Sequence, residues 1–212
     1  MKKTKLLACL LALATVAGAA SALADHPVFS LGLGVEWWNA KDSDELEVDQ
    51  DGLLGGGIIA RLRPSDYLAF DLRVGGVGAW DDAKWRDNGV KYEADATFYC
   101  VPAEIGLLLM LPLNDALTIY AGPGVGYYYY NIDIEVHEKE HHRYHKTYSE
   151  DIKLEDDFGW FAVAGLNISL APNFSIFGEA RYTDTETSLK DDDSVKFDAS
   201  GVGVMAGIML DF

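Results

Sequence analysis

Residues 137–145 read HEKEHHRYH, and His137-Glu138-Lys139-Glu140-His141 satisfies the H-E-x-x-H spacing by which a helix offers two imidazoles to zinc and a glutamate to its water. Over two helical turns His137, His141 and His145 share one face at i, i+4 spacing, a donor set for Zn²⁺, Cu²⁺ or Ni²⁺. Both chemistries require a helix. A zinc-hydrolase helix also buries an apolar stripe, and this segment has none. In a stretch so rich in His and Glu the spacing arises from composition alone. The expectation is a solvated segment, with metal binding by the three histidines as the weaker alternative.

Other chemistry is thinner. Asp42-Ser43-Asp44-Glu45 and Asp191-Asp192-Asp193 lack the glycine spacing of a calcium loop and read as solvated acidic faces, able at most to share divalent cations with lipopolysaccharide phosphates. The G-x-G spacings of Gly122, Gly124 and Gly126, like those of Gly32, Gly34, Gly55 and Gly57, are not followed by a helical pattern, so they read as strand packing that makes room for Arg and Tyr. There is no Ser-His-Asp constellation. The expectation is a non-enzymatic protein with no cofactor.

A different set of residues stands out by position. Glu36, Asp71, Glu104 and Glu179 and Arg61, Arg63, Arg73 and Arg181 all occur inside apolar alternating runs, always on the parity opposite the apolar side chains, and the two signs balance. Paired carboxylates and guanidinium forks can satisfy one another away from water. What encloses them must be read from the runs themselves.

Period-two alternation recurs eight times and helical spacing does not. Strand one offers Phe29, Leu31, Leu33, Val35 and Trp37; later runs begin near Leu54, Leu68, Val101, Leu117, Phe158 and Phe174. The last offers Val202, Val204, Ala206, Ile208, Leu210 and Phe212. Each suits the roughly 9–11 tilted residues with which a strand crosses a bilayer. Connections alternate between short, such as Pro64-Ser65-Asp66 and Ala171-Pro172-Asn173, and long, at 39–51, 81–95, 132–157 and 183–198. Of 34 acidic residues, 26 fall in the four long segments, so the charge sits at one rim.

The chain begins MKKTKLLACLLALATVAGAASALA, three lysines followed by an apolar run and small residues, which reads as a signal peptide over 1–24 and leaves a single domain over 25–212. Its removal takes away Lys2, Lys3 and Lys5 and shifts the formal net charge from −17 to −20, which excludes nucleic acid as a partner. It also removes Cys9, leaving Cys100 without a disulfide partner. No later run has the roughly 18 consecutive apolar residues of a membrane helix, so a membrane location requires strands.

Hydrocarbon cannot hydrogen-bond a backbone, so a sheet in a bilayer must close on itself and drive its charges to the lumen. Aromatics near strand ends, Trp37, Trp80, Tyr127, Tyr129, Phe158, Trp160 and Tyr182 at one rim and Tyr67, Phe174 and Phe212 at the other, fit two headgroup belts. A soluble lipocalin-type barrel also alternates, but the loop rhythm, the two-ended aromatics and the closing Phe212 favour the membrane. The fold class is thus all-β, an eight-stranded antiparallel up-and-down transmembrane β-barrel. Pro102 and Pro123 fall within strands and predict bulges there, leaving the facing of Phe98, Tyr99 and Cys100 open.

The strand Val204-Met205-Ala206-Gly207-Ile208-Met209-Leu210-Asp211-Phe212 resembles the C-terminal sorting signal of bacterial outer-membrane proteins. The whole region 27–212 is similar to the small eight-stranded barrel superfamily of the OmpA membrane domain and OmpX, with Ala121-Gly122-Pro123-Gly124-Val125-Gly126-Tyr127-Tyr128 and Phe177-Gly178-Glu179-Ala180-Arg181-Tyr182 as its central and penultimate strands. The resemblance implies a bacterial outer-membrane location, short periplasmic turns, long acidic extracellular loops and a charge-plugged lumen. It further implies contact with lipid and lipopolysaccharide, recognition of Phe212 by the outer-membrane assembly machinery and a monomeric state; because the chain stops at the eighth strand, no peptidoglycan-binding domain of the kind that follows the OmpA barrel is expected. A small-solute channel is the alternative function, and a metal-binding or lipid-modifying barrel a remoter one.

Overall fold

The computed structural model describes residues 29–41, 52–87, 90–140, 143–189 and 192–212. The expected signal peptide over 1–24, the acidic run at 42–45, His141 and Asp191 lie outside the described residues. Within them the chain forms β1 (Phe29–Ala40), β2 (Leu53–Ser65), β3 (Leu68–Asp87), β4 (Val90–Pro112), β5 (Leu117–Glu140), β6 (Arg143–Lys153), β7 (Asp157–Ala171), β8 (Phe174–Asp184), β9 (Glu186–Leu189), β10 (Asp192–Asp198) and β11 (Gly201–Asp211). Eight of these close a barrel in the order β4-β3-β2-β1-β11-β8-β7-β5, with β5 returning to β4. Every neighbouring pair is antiparallel.

The seam between first and last strands runs from Ser30↔Asp211 to Ala40↔Gly201. It leaves no edge in the barrel wall, which is what a hydrocarbon surrounding demands. At the opposite end from the long segments the chain reverses in tight turns. In one, the Asn114 side-chain oxygen accepts the N–H groups of Ala116 and Leu117, both at 2.9 Å.

Three of the four segments expected as loops carry strand structure. β3 and β4 stay paired out to Asp87↔Val90. β4 remains on β5 as far as Lys91↔Lys139, and β6 folds back on β5 from Asn131↔Lys153 to Glu140↔Arg143. A four-stranded sheet, β3 to β6, therefore continues past Leu54↔Gly78 and Tyr128↔Asp157, where β2 and β7 leave off. β9 and β10 form a separate hairpin within 183–198. The physical reason is in the sequence: Ile132, Ile134 and Val136 prolong the period-two alternation, and the charges between them are the solvated face of a strand.

Neither proline produces a bulge. The β3–β4 pairing skips Gly75–Gly76 opposite Val101–Pro102 and resumes with unchanged register, Val77↔Cys100 after Val74↔Ala103. Likewise β4–β5 passes from Gly106↔Gly124 to Leu109↔Ala121 across Pro123 without a shift. Each proline keeps its other neighbour in full register, Pro102↔Tyr128 and Pro123↔Ala162, so the missing N–H removes ladder bonds on one side only. Phe98 and Cys100 consequently face the lumen, buried, and Tyr99 faces outward.

The outer wall is apolar: Leu33, Val35, Val74, Ile105, Leu109, Val125 and Ile208 are all exposed. So are the aromatics Trp37, Trp80, Tyr127, Tyr129, Phe158, Trp160 and Tyr182 towards the projecting sheet, and Tyr67 and Phe212 towards the turns. Exposure of this much contiguous hydrocarbon is untenable in water and expected in lipid.

Candidate functional site

The lumen is built by strand parity. Because side chains alternate, the residues between the lipid-facing ones all project to the axis. Glu36, Arg61, Asp71, Arg73, Glu104, Glu179 and Arg181 are buried there, and Arg63 is part-buried at the turn end.

They assemble in three levels. Nearest the turns, Arg63 Nη2 donates to Asp211 Oδ1 at 2.9 Å, an atom that also accepts Ser30 Oγ at 2.7 Å, while Ser175 Oγ donates to Asp211 Oδ2 at 3.2 Å. In the middle, the directly opposed pair Arg61 and Asp71 is bidentate, Nε to Oδ1 at 2.7 Å and Nη2 to Oδ2 at 2.9 Å. Arg73 donates to the same Asp71 at 2.8 Å and reaches β8 to engage both oxygens of Glu179, one at 3.0 Å. Tyr120 donates to Glu179 at 2.8 Å, and its ring lies 4.4 Å beneath the Arg61 guanidinium. In the third level Arg181 serves two carboxylates, Glu104 at 2.6 Å and Glu36, and Tyr128 donates to Glu104 at 2.8 Å. Buried bidentate and shared-guanidinium geometries of this kind are the ones in which Coulomb attraction offsets desolvation.

Phe161 separates the middle and outer levels. Its ring is fully buried, with the Arg73 guanidinium 5.9 Å from its centroid and that of Arg181 at 6.0 Å. Gly124 opposite makes room for it: a Cβ built there would stand 2.2 Å from Phe161 Cζ. Gly126 does the same for Tyr128 and Glu104, at 3.0 and 2.9 Å. Towards the projecting sheet the lumen is filled by Trp38, Phe98, Cys100, Tyr128 and Tyr130.

The eight charges singled out in the sequence thus lie in one lumen, though not as one balanced set. Asp211 is a fifth carboxylate against four guanidiniums. Sequence reasoning passed over it because it is the penultimate residue, yet its parity is the inner one. Parity likewise marks Tyr120, Tyr128 and Phe161, which carry no formal charge and so drew no attention. The glycines make room for Phe161 and for Met205 near Gly34 more than for arginine.

His137 lies in β5 and His145 in β6, so these two do not share a helical face, and His141, the third of the expected set, lies outside the described residues. His137 Nε2 instead lies 3.4 Å from Asp95 Oδ2 and 3.7 Å from Glu135 Oε2. Among the described residues no group of three His, Cys, Asp or Glu side chains is arranged to hold a metal. Outside the membrane span, the Asp198 carboxylate accepts Lys41 Nζ at 2.6 Å and the Ser200 N–H at 3.0 Å. The Lys41 bond, followed by those from Ser200, holds the Asp198 carboxyl down at about 2. Phe212 caps the turn end: its N–H donates to Phe29 O at 2.8 Å, and the two rings are 6.1 Å apart.

The family model described as "Outer membrane protein beta-barrel domain" matches residues 7–207. Among solved structures the chain is similar to the outer membrane protein OprG from Pseudomonas aeruginosa, at 15% identity and a TM-score of 0.59, covering 88% of this chain and 97% of that one. It is also similar to Neisserial surface protein A (NspA), at 13% identity and a TM-score of 0.51, covering 87% and 97%. No curated protein sequence matches it. Closed antiparallel wall, apolar exterior and family match agree: the chain belongs to the outer membrane protein beta-barrel domain family and spans the bacterial outer membrane of Gram-negative cells as a β-barrel.

Proposed function

We propose that this protein is a non-enzymatic, closed barrel that anchors an interaction surface at the cell exterior, with its tight turns in the periplasm and the β3–β6 sheet outside. The observation that carries this reading is the state of the lumen: Arg61, Asp71, Glu104, Tyr128 and Phe161, from successive levels of it, are at most 2% accessible to water. A conducting pore needs a hydrated path, and a barrel of eight strands is just wide enough for side chains to fill it. The acidic outer segments suit contact with lipopolysaccharide through shared divalent cations. Phe212, exposed at the turn rim, is the expected handle for the assembly machinery. The protein acts as a monomer with no cofactor and no nucleic-acid partner.

The experiment is planar-bilayer recording of purified folded protein. A silent membrane supports the closed barrel. Steady ion-sized openings would instead establish the small-solute channel as the function.

A further inference from the structure

The barrel has one junction that no chain connection spans. All its other strand pairs are neighbours in sequence or are linked through the intervening hairpins, whereas β1 and β11 meet only through their ladder and whatever side chains cross it. Both described ends of the chain, Phe29 and Phe212, lie at the turn end of this seam. A seam opening here would expose unpaired backbone to lipid.

We propose that Asp211 is the clasp of this seam, a single buried carboxylate that ties β11 to β1, β2 and β8 at once. Its Oδ1 accepts Ser30 of β1 at 2.7 Å and Arg63 of β2 at 2.9 Å; its Oδ2 accepts Ser175 of β8 at 3.2 Å. Arg63 also donates to Ser30 Oγ at 3.3 Å, so the two partners across the seam are themselves joined. Ser30 and Ser175 are inaccessible to water. The backbone repeats the arrangement, Asp211 N donating to Asn173 O at 3.1 Å and Phe212 N to Phe29 O at 2.8 Å. Hydrogen bonds to an ionised acceptor are roughly twice as strong as neutral ones. Three from three strands converge at the turn end of β11, beside the junction that no chain connection spans. Asp211 faces the lumen and its neighbour Phe212 the outside of the barrel.

The test is the lifetime of the folded band in dodecyl sulfate at a fixed elevated temperature, for the wild type, Asp211→Asn, Arg63→Gln and the double variant. The clasp predicts that each single change shortens the lifetime by about tenfold and that the double variant is no worse than the poorer single one, since both break the same contact. Hydrogen exchange should rise at 30–33 and 208–211 and not in the β4–β5 ladder. Arg63→Gln lies outside the C-terminal strand, so it reports even if Asp211→Asn fails to assemble. Independent, additive losses, or exchange rising evenly around the barrel, would overturn the proposal.

Discussion

Arg181 is the side chain whose loss the lumen should tolerate least. It is the one guanidinium bonded to both Glu104, at 2.6 Å, and Glu36, and the three side chains are 5%, 1% and 3% exposed. Solvent screening is therefore slight, and the costs of surface ion pairs do not apply. Arg181→Met keeps most of the volume but leaves two carboxylates facing each other in a water-excluded space. Breaking a buried pair by removing one partner costs about 3–5 kcal/mol, and this case strands two. Glu36→Gln, by contrast, leaves Arg181 paired with Glu104 and should cost only about 1 kcal/mol. Glu104→Gln weakens the bonds from both Arg181 and Tyr128 and should cost about 2 kcal/mol. The informative variant is the triple one, Arg181→Met with Glu36→Gln and Glu104→Gln. It removes every charge of the level and should recover most of what Arg181→Met loses, because neutral groups carry no stranded-charge penalty. Urea unfolding in lipid vesicles, followed by tryptophan fluorescence and extrapolated to zero denaturant, measures all four. A triple variant less stable than Arg181→Met, or Arg181→Met within about 0.5 kcal/mol of wild type, would refute the view that mutual charge satisfaction holds this level together.

Phe161→Ala should cost about 3–5 kcal/mol in the same assay, the range for a fully buried aromatic. Gly124→Ala should also destabilise, since its Cβ would meet the ring at 2.2 Å and the Ile105 backbone oxygen at 2.6 Å, and the Phe161→Ala background should relieve only the first of these. At the outer rim, Asp198 titrates at about 2, below its ordinary value of 3.8, so the Lys41 contact contributes above pH 3.8 and is lost as pH falls through 2. Carbon-detected NMR titration of Lys41→Met should move that midpoint up towards 3.8; an unmoved midpoint would remove Lys41 as the cause. Calorimetric titration with Zn²⁺ should give no saturable heat, because His137 and His145 lie on two separate strands and share no helical face. A stoichiometric isotherm would contradict that.

How far the sequence spoke depended on parity. Val202 to Phe212 alternate so regularly that the lipid and lumen faces of β11 could be assigned before any coordinates, and the same holds for Phe29 to Trp37. The lumen charges were legible because an Arg or Glu inside an apolar alternating run has no other place to go. Two things were not legible. Where a strand leaves the membrane, its lipid-facing side turns polar, and 81–95 and 132–157 looked like loops although β3 to β6 continue through most of them. Partner identity was also hidden: nothing in the spacing of Arg73 and Glu179, or of Arg181 and Glu36, says that they meet, because contacts around and across a lumen are set by the closure and tilt of the whole barrel. Asp211 combined both difficulties, lying at a strand end with its partners on β1, β2 and β8. Pro102 shows the converse limit, since a missing N–H was visible but its consequence, a one-sided gap without a bulge, depended on the neighbouring Gly75 and Gly76.

The central assignment is that alternate side chains of each strand face lipid and lumen. Nitroxide labels at single cysteines, introduced at Leu33, Val74, Leu109 and Val125 in a Cys100→Ala background and reconstituted in bilayers, test it most directly by power saturation. The account predicts that all four relax with oxygen dissolved in the lipid and are shielded from a water-soluble nickel chelate, while labels at Ile59 and Leu108 contact neither. Labels at the first four positions that are reached by nickel and shielded from oxygen would contradict it.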